Sequence, residues 1–178
     1  DYYHYSAGNG PTPVGYWDLM GSVRNPPQYP SAFTKWKYFK WIEPVEITNS
    51  GTYSLLPLKD EENSSFFISS PFSEEEYFIF EYRNQEGIYD SNAPGTRSGL
   101  VVYRVNESAG NGNASGPPDE LYVYRPQGDM NNTGNLNDAP YSAIYDHSEL
   151  NDYSDPSCFL SNGGEGSIGG LQLLDVSE

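Results

Sequence analysis

The chain has 178 residues, of which 36% are hydrophobic, and its 9 Lys and Arg face 25 Asp and Glu for a formal net charge of −16. That is the size of one domain or one and a half, with enough apolar content to bury a core, which excludes wholesale disorder. So negative a field repels phosphate backbones and anionic membranes, which excludes nucleic-acid binding. No apolar run approaches the ~18 residues of a membrane span.

The 16 Tyr, 8 Phe and 3 Trp are stiff and amphipathic, and 18 Gly with 14 Pro punctuate many turns, so the profile reads as mainly β. Residues 1–30 are rich in Tyr, Gly and Pro without periodicity and read as a long ordered loop. Within it, VGYWDLMGS (residues 14–22) sets Met20, one of two methionines, after Trp17 and Asp18 and between Gly15 and Gly21. Met20 either packs against Trp17 as a gap-filler or forms a floor beneath something that sits on it.

From Ser31 the run SAFTKWKYFKWI offers an N-cap and apolar residues at Phe33, Trp36 and Phe39, which predicts a short helix ending before Pro44. VEIT, an Asn-Ser-Gly turn and TYSLLPL predict a hairpin over residues 45–58. SFFISS comes next. EYFIFEYR (residues 76–83) is apolar at nearly every position before Glu81 and reads as a strand buried on both faces.

Glu81 and Arg83, two apart on that strand, share a face. They are either a substrate-binding pair or partners in a structural salt bridge; charges inside so apolar a strand persist mainly when paired, which favours the second. GLVVYRVNE (residues 99–107) and ELYVYRP (residues 120–126) are further strands, with AGNGNASGPPD between them as an exposed loop tip. SIGGLQLLDVS closes the chain as a last strand, and the spacing of these segments predicts an antiparallel β-sandwich-like domain or a barrel.

Candidate chemistry is sparse. HExxH, GxSxG, the P-loop and a helix-opening GxGxxG are all lacking. His147, flanked by Asp146 and Glu149, suggests a catalytic base for a moment, but no nucleophile elbow accompanies it and a solvated loop histidine is the better reading. Cys158 is the single cysteine, so there is no disulfide framework or thiolate zinc site, and it reads as a small packing residue. Sequons at Asn63, Asn106, Asn113 and Asn131 fit an extracytoplasmic chain.

Asp129, Asn131, Thr133 and Gly134 resemble the start of a calcium loop, but Pro140 stands where an EF-hand needs a bidentate Glu. An irregular calcium site built from Asp129, Asn135, Asn137 or Asp138 stays open, since hard cations accept loop oxygens. GGEGSIGG reads as a turn.

PVGYWDLM followed by SAFTKWK resembles the region downstream of the active-site helix in the M6 peptidases, the immune-inhibitor-A-like zinc metalloproteases. The resemblance continues through EYFIFEYR, the turn at residues 92–95, GLVVYRVNE and GEGSIGGLQLLDVSE, nearly the whole chain. The Trp-Asp-Leu-Met and Lys-Trp combination is its most specific part.

In that family a signature HExxHxxGxxH or HExxHxxGxxD precedes a Met-turn, with two helical His on zinc and a Glu that activates water. The resemblance implies that Met20 is the Met-turn floor, with Trp17, Asp18 and Trp36 structural around it. It implies as well that the chain starts just after the signature's Gly-Leu-Pro, making Asp1 the third zinc ligand. His4 is a poorer choice, lying in a Tyr-rich loop without a second His.

The expectation is therefore a portion of a secreted zinc metalloendopeptidase. Residues 1–43 would be the C-terminal subdomain of a metzincin-like protease domain and residues 44–178 a β-rich sandwich-like domain. Its partners would be a protein or peptide substrate and the upstream part of the protease domain; lacking the general-base Glu, the chain alone would be inactive. The rival is an extracellular carbohydrate- or protein-binding module. The protease reading expects Trp17, Trp36 and Trp41 buried around the Met-turn and helix, whereas the rival expects aromatics gathered on one exposed face.

Overall fold

The computed structural model of the chain describes residue 5 and residues 10–58, 64–110, 112–162 and 169–177. Its frame is one five-stranded mixed sheet, in spatial order β1 (Val45–Glu46), β2 (Ser65–Ser69), β3 (Glu76–Arg83), β4 (Gly99–Asn106) and β5 (Leu121–Val123). The β1–β2 pair is parallel and the others are antiparallel. The chain is mainly β, as its composition suggests; the described strands make a single sheet.

Alternation along the strands divides the interior into two layers. Tyr77, Ile79, Val101, Tyr103, Val105, Leu121 and Val123 face one way and form a core with Val14, Trp17, Ala32 and Phe33. Phe78, Phe80, Val102, Tyr122 and Tyr124 face the other way and pack on Tyr141, Leu150, Cys158, Phe159, Leu160 and Leu171. The first core joins residues on both sides of the predicted boundary at residue 43, so the loop and helix of the N-terminal part are built onto the sheet itself.

EYFIFEYR forms β3 as expected, and seven of its eight residues are buried because a layer covers each face. The predicted hairpin over residues 45–58 does not form. Val45 and Glu46 pair in parallel with Phe66 and Phe67, while Pro57 bridges Tyr82 in parallel. A turn is present at residues 49–53, where the Tyr53 hydroxyl donates to the Asn49 carbonyl, but Tyr53 then packs edge-on against Phe66 of β2. Both arms thus bond to other strands instead of to each other.

The C-terminal strand is also reduced: Leu173 makes one antiparallel bridge to Leu150. The segment expected as a free loop tip is pinned by Asn113, whose amide donates to Leu121 O (2.7 Å) and accepts from Leu121 N (3.0 Å). Asn106 is likewise buried and donates to Ser161 Oγ at 2.6 Å. Two of the four sequon asparagines therefore serve the interior; Asn131 is exposed and Asn63 lies outside the described residues. Among the described residues no helix is long and apolar enough to cross a membrane.

Candidate functional site

The turn around Met20 is closed backbone against backbone. Trp17 ends a 3-10 turn (Gly15–Trp17), is fully buried, and its indole N–H donates to Leu136 O at 2.6 Å. The N–H groups of Gly21 and Ser22 return to the Asp18 carbonyl at 3.0 and 3.2 Å. A Cβ on Gly21 would lie 2.6 Å from the Gly15 carbonyl oxygen, and one on Gly15, whose φ is +59°, would lie 2.9 Å from Leu136 Cδ1. The two glycines that flank the motif are thus demanded by close approach and, at Gly15, by a left-handed backbone.

Asp18 links this turn to the helix. Its carboxylate is fully buried; Oδ1 accepts the Met20 N–H at 2.7 Å, and Oδ2 accepts Ser31 N at 2.9 Å, Thr34 Oγ1 at 2.7 Å and the Ser31 hydroxyl. Ser31 Oγ in turn accepts Thr34 N at 3.2 Å, the N-cap bond expected of it. One carboxylate thereby fixes both the turn that carries Met20 and the start of the helix, α1 (Ala32–Thr34).

The helix continues as a π-turn (Lys35–Phe39) and stops at Lys40, which is left-handed with φ 57°. It is shorter and wider than the predicted α-helix. Its wider turn places Tyr38 and Phe39 beside Met20, and together with Thr34 these line a small apolar pocket. Trp36 is half-buried, stacked on Phe67 at 5.8 Å and edge-on to Tyr77 at 5.9 Å. Trp41 departs from expectation: it is 62% exposed and leans on Phe39, which is 36% exposed, with ring centroids 4.5 Å apart.

A hub beneath the helix escaped the sequence reading. Glu81 Oε2 accepts the Ala32 N–H at 2.6 Å, while Glu81 Oε1 meets Arg83 Nε at 2.6 Å and the Tyr103 hydroxyl at 2.8 Å. Tyr103 also lies 3.1 Å from the Trp17 carbonyl, and Arg83 continues to Asp90 at 2.8 Å. Burial pushes the Glu81 carboxyl up against the opposing pull of Arg83, and it tends to lower the Arg83 guanidinium, which Glu81, Tyr103 and Asp90 hold firmly charged. The pair is structural, as its setting in an apolar strand implied, and it tethers the helix to the sheet. Only the two-residue spacing of Glu81 and Arg83 was readable beforehand; the reach of Glu81 to Ala32 spans 49 residues.

The loop read as a calcium candidate satisfies its own oxygens. Asp129 Oδ1 accepts Asn131 N and Asn132 N at 2.6 and 2.8 Å, and Oδ2 accepts the Asn132 amide at 2.7 Å. Slight burial would raise this carboxyl, but the bonds from Asn132 and from the backbone hold it below the usual range. Asn135 accepts from Asn137 N and donates to Asp138 Oδ2 at 2.8 Å, while Asp138 Oδ1 pairs with Arg97 at 3.1 Å. Among the described residues no three His, Cys, Asp or Glu are grouped to hold a metal ion. Asp1 and His4 lie outside the described residues.

His147 is not the solvated loop residue expected. Its ring stacks on Tyr141 at 3.9 Å with Nδ1 3.2 Å from Pro140 O, and burial lowers its basicity. Cys158 is buried as predicted, and loss of solvent pushes its thiol up to about 12.

Comparison of the chain with protein-family profiles, with curated proteins and with solved structures finds no match in any of the three.

Proposed function

We propose that the chain is part of a secreted, M6-like zinc metalloendopeptidase, supplying a Met-turn and one wall of a peptide-binding cleft. The observation that carries this reading is the Asp18 carboxylate, which ties the Met20 turn to the Lys-Trp helix. These are the two segments whose order and spacing bear the resemblance. The thioether of Met20 borders an apolar pocket with Tyr38 and Phe39, an arrangement that suits a polarizable floor beside an apolar substrate side chain.

The described residues offer a floor and no ligand set, so zinc would be held by residues outside them, Asp1 among these. When bound, the metal supplies an activated water for attack on a peptide carbonyl. Calcium in the 129–138 loop would require Asp129 and Asp138 to exchange their present partners.

The test is to purify the product of the complete reading frame and measure its zinc content and peptide hydrolysis. We expect about one zinc per chain, hydrolysis stopped by a chelator, and a lower kcat in Asp18→Ala. A product with neither zinc nor peptidase activity overturns the reading.

One observation favours the rival binding module: Tyr38, Phe39 and Trp41 are all exposed on one short segment. That module predicts oligosaccharide binding that Trp41→Ala abolishes, measured by calorimetry, with no hydrolysis of peptides.

A further inference from the structure

The second core contains a buried cluster that neither the Met-turn nor the proposed cleft uses. Arg104 of β4 is 0% exposed, with its guanidinium between the rings of Tyr122 (5.1 Å) and Phe159 (5.3 Å). Its one directed contact among the described residues is from Nη1 to Met130 Sδ at 3.7 Å. Nε lies 3.6 Å from Glu76 Oε2 and Nη2 lies 3.7 Å from Asp119 Oδ2, both beyond hydrogen-bond length, and neither nitrogen has another partner among the described residues. The Glu76 carboxylate is engaged by Ser161, through its N–H at 2.8 Å and its hydroxyl at 2.9 Å.

Two oxygens nearby are in the same condition. Asp119 Oδ1 and the Tyr122 hydroxyl are buried and unbonded among the described residues, although the Asp119 carboxyl also meets Tyr5. Bare backbone covers both: a Cβ on Gly116 would lie 2.9 Å from Asp119 Oδ1, and one on Gly128 would lie 2.9 Å from the Tyr122 hydroxyl. Arg125, on the Tyr122 ring at 4.2 Å, is mostly committed elsewhere, since four of its five N–H groups go to the carbonyls of Thr12, Pro13, Val123 and Thr133.

We propose that Arg104, Asp119 and Tyr122 form an internal solvent site that takes water as its ligand. Leaving two guanidinium nitrogens and two oxygens unbonded in an apolar layer is costly, and buried polar groups in this state are met by ordered water making about three bonds. Charge selects the ligand. Arg104 and Arg125 are balanced by Glu76 and Asp119, so an anion would meet two carboxylates and a cation two guanidinium groups. Water, with two donors and two acceptors, answers both kinds of orphan: Arg104 Nε and Nη2 donate to it, and it donates to Asp119 Oδ1 and Tyr122.

The experiment is a crystal structure of the protein at about 1.5 Å or better, with a second crystal soaked in sodium bromide. Expected is a density peak at ~2.7–3.2 Å from Arg104 Nη2 and Asp119 Oδ1, without anomalous signal in the bromide crystal. In solution, oxygen-17 relaxation dispersion should count at least one fewer long-lived water in Tyr122→Phe than in the wild type. A direct Arg104–Asp119 pair with no peak overturns the proposal, and so does a bromide peak at the site, which would make it an anion site. Because the wild-type crystals decide the matter alone, a variant that fails to fold does not rescue the idea.

Discussion

Arg83 and Arg104 lie on neighbouring strands with their side chains on opposite faces of the sheet, both buried, yet they live differently. Arg83 has Glu81 at 2.6 Å and Asp90 at 2.8 Å, while Arg104 has carboxylates only at 3.6 and 3.7 Å. The face that carries Arg83 also holds the helix and the Met20 turn, where the Asp18 and Glu81 carboxylates each fix a backbone segment. The contrast teaches that burial of a charge does not by itself identify a brace; the partner distances do.

The sharpest way to break this comparison is to remove one partner on each side. Glu81→Ala takes one of the two carboxylates from Arg83 and frees the Ala32 N–H and the Tyr103 hydroxyl, which should cost ~3–5 kcal/mol, read from the urea midpoint. Arg104→Met should cost less, roughly 1–2 kcal/mol, because the Glu76 and Asp119 carboxylates both stand beyond hydrogen-bond length from its guanidinium. Equal losses would mean that Arg104 is braced as firmly as Arg83.

Next in size is Asp18→Ala, which orphans donors from Met20, Ser31 and Thr34 and should cost roughly 2–3 kcal/mol. Asp129→Ala, in an exposed loop, should cost less than about 1 kcal/mol by the same urea titration.

A smaller effect comes from His147, on the Arg104 face of the sheet. Its folded-state basicity is depressed by burial, so between the folded and unfolded values the unfolded chain binds more protons. Stability should be full above about pH 6.5 and decline as pH falls below it. His147→Phe should flatten that slope in melting temperatures recorded from pH 7 to 5. Least of all, Cys158 should resist thiol reagents in the native protein and react on unfolding, since its thiol is pushed up to about 12.

Legibility in the sequence divides along similar lines. EYFIFEYR announced β3 because two covered faces leave no polar alternation, and Ser31 announced the helix start because capping is local. Residues 45–58 misled because a turn sequence specifies a bend and not the partners of its arms: Ile47 N donates to Phe67 O and Leu58 N to Tyr82 O, choices made by distant strands. Trp41 misled because helical spacing presumed an α-helix, and the π-turn ending at Lys40 carries the residue outward. The roles of Asp18 in joining turn to helix and of Glu81 in reaching Ala32 lay beyond any local pattern.

Pro13 carries a further consequence. Its carbonyl accepts from Val123 N at 3.1 Å and from Arg125 at 2.8 Å, so a proline lies along the outer edge of β5, while Pro44 precedes the opposite edge strand. A proline has no N–H to offer a further strand, so both margins of the sheet are guarded against templating another chain. The two guards differ in timing. Pro44 is joined directly to the strand it guards, whereas Pro13, made before β5, is 112 residues from Arg125, so the β5 edge is covered only once that long-range contact forms.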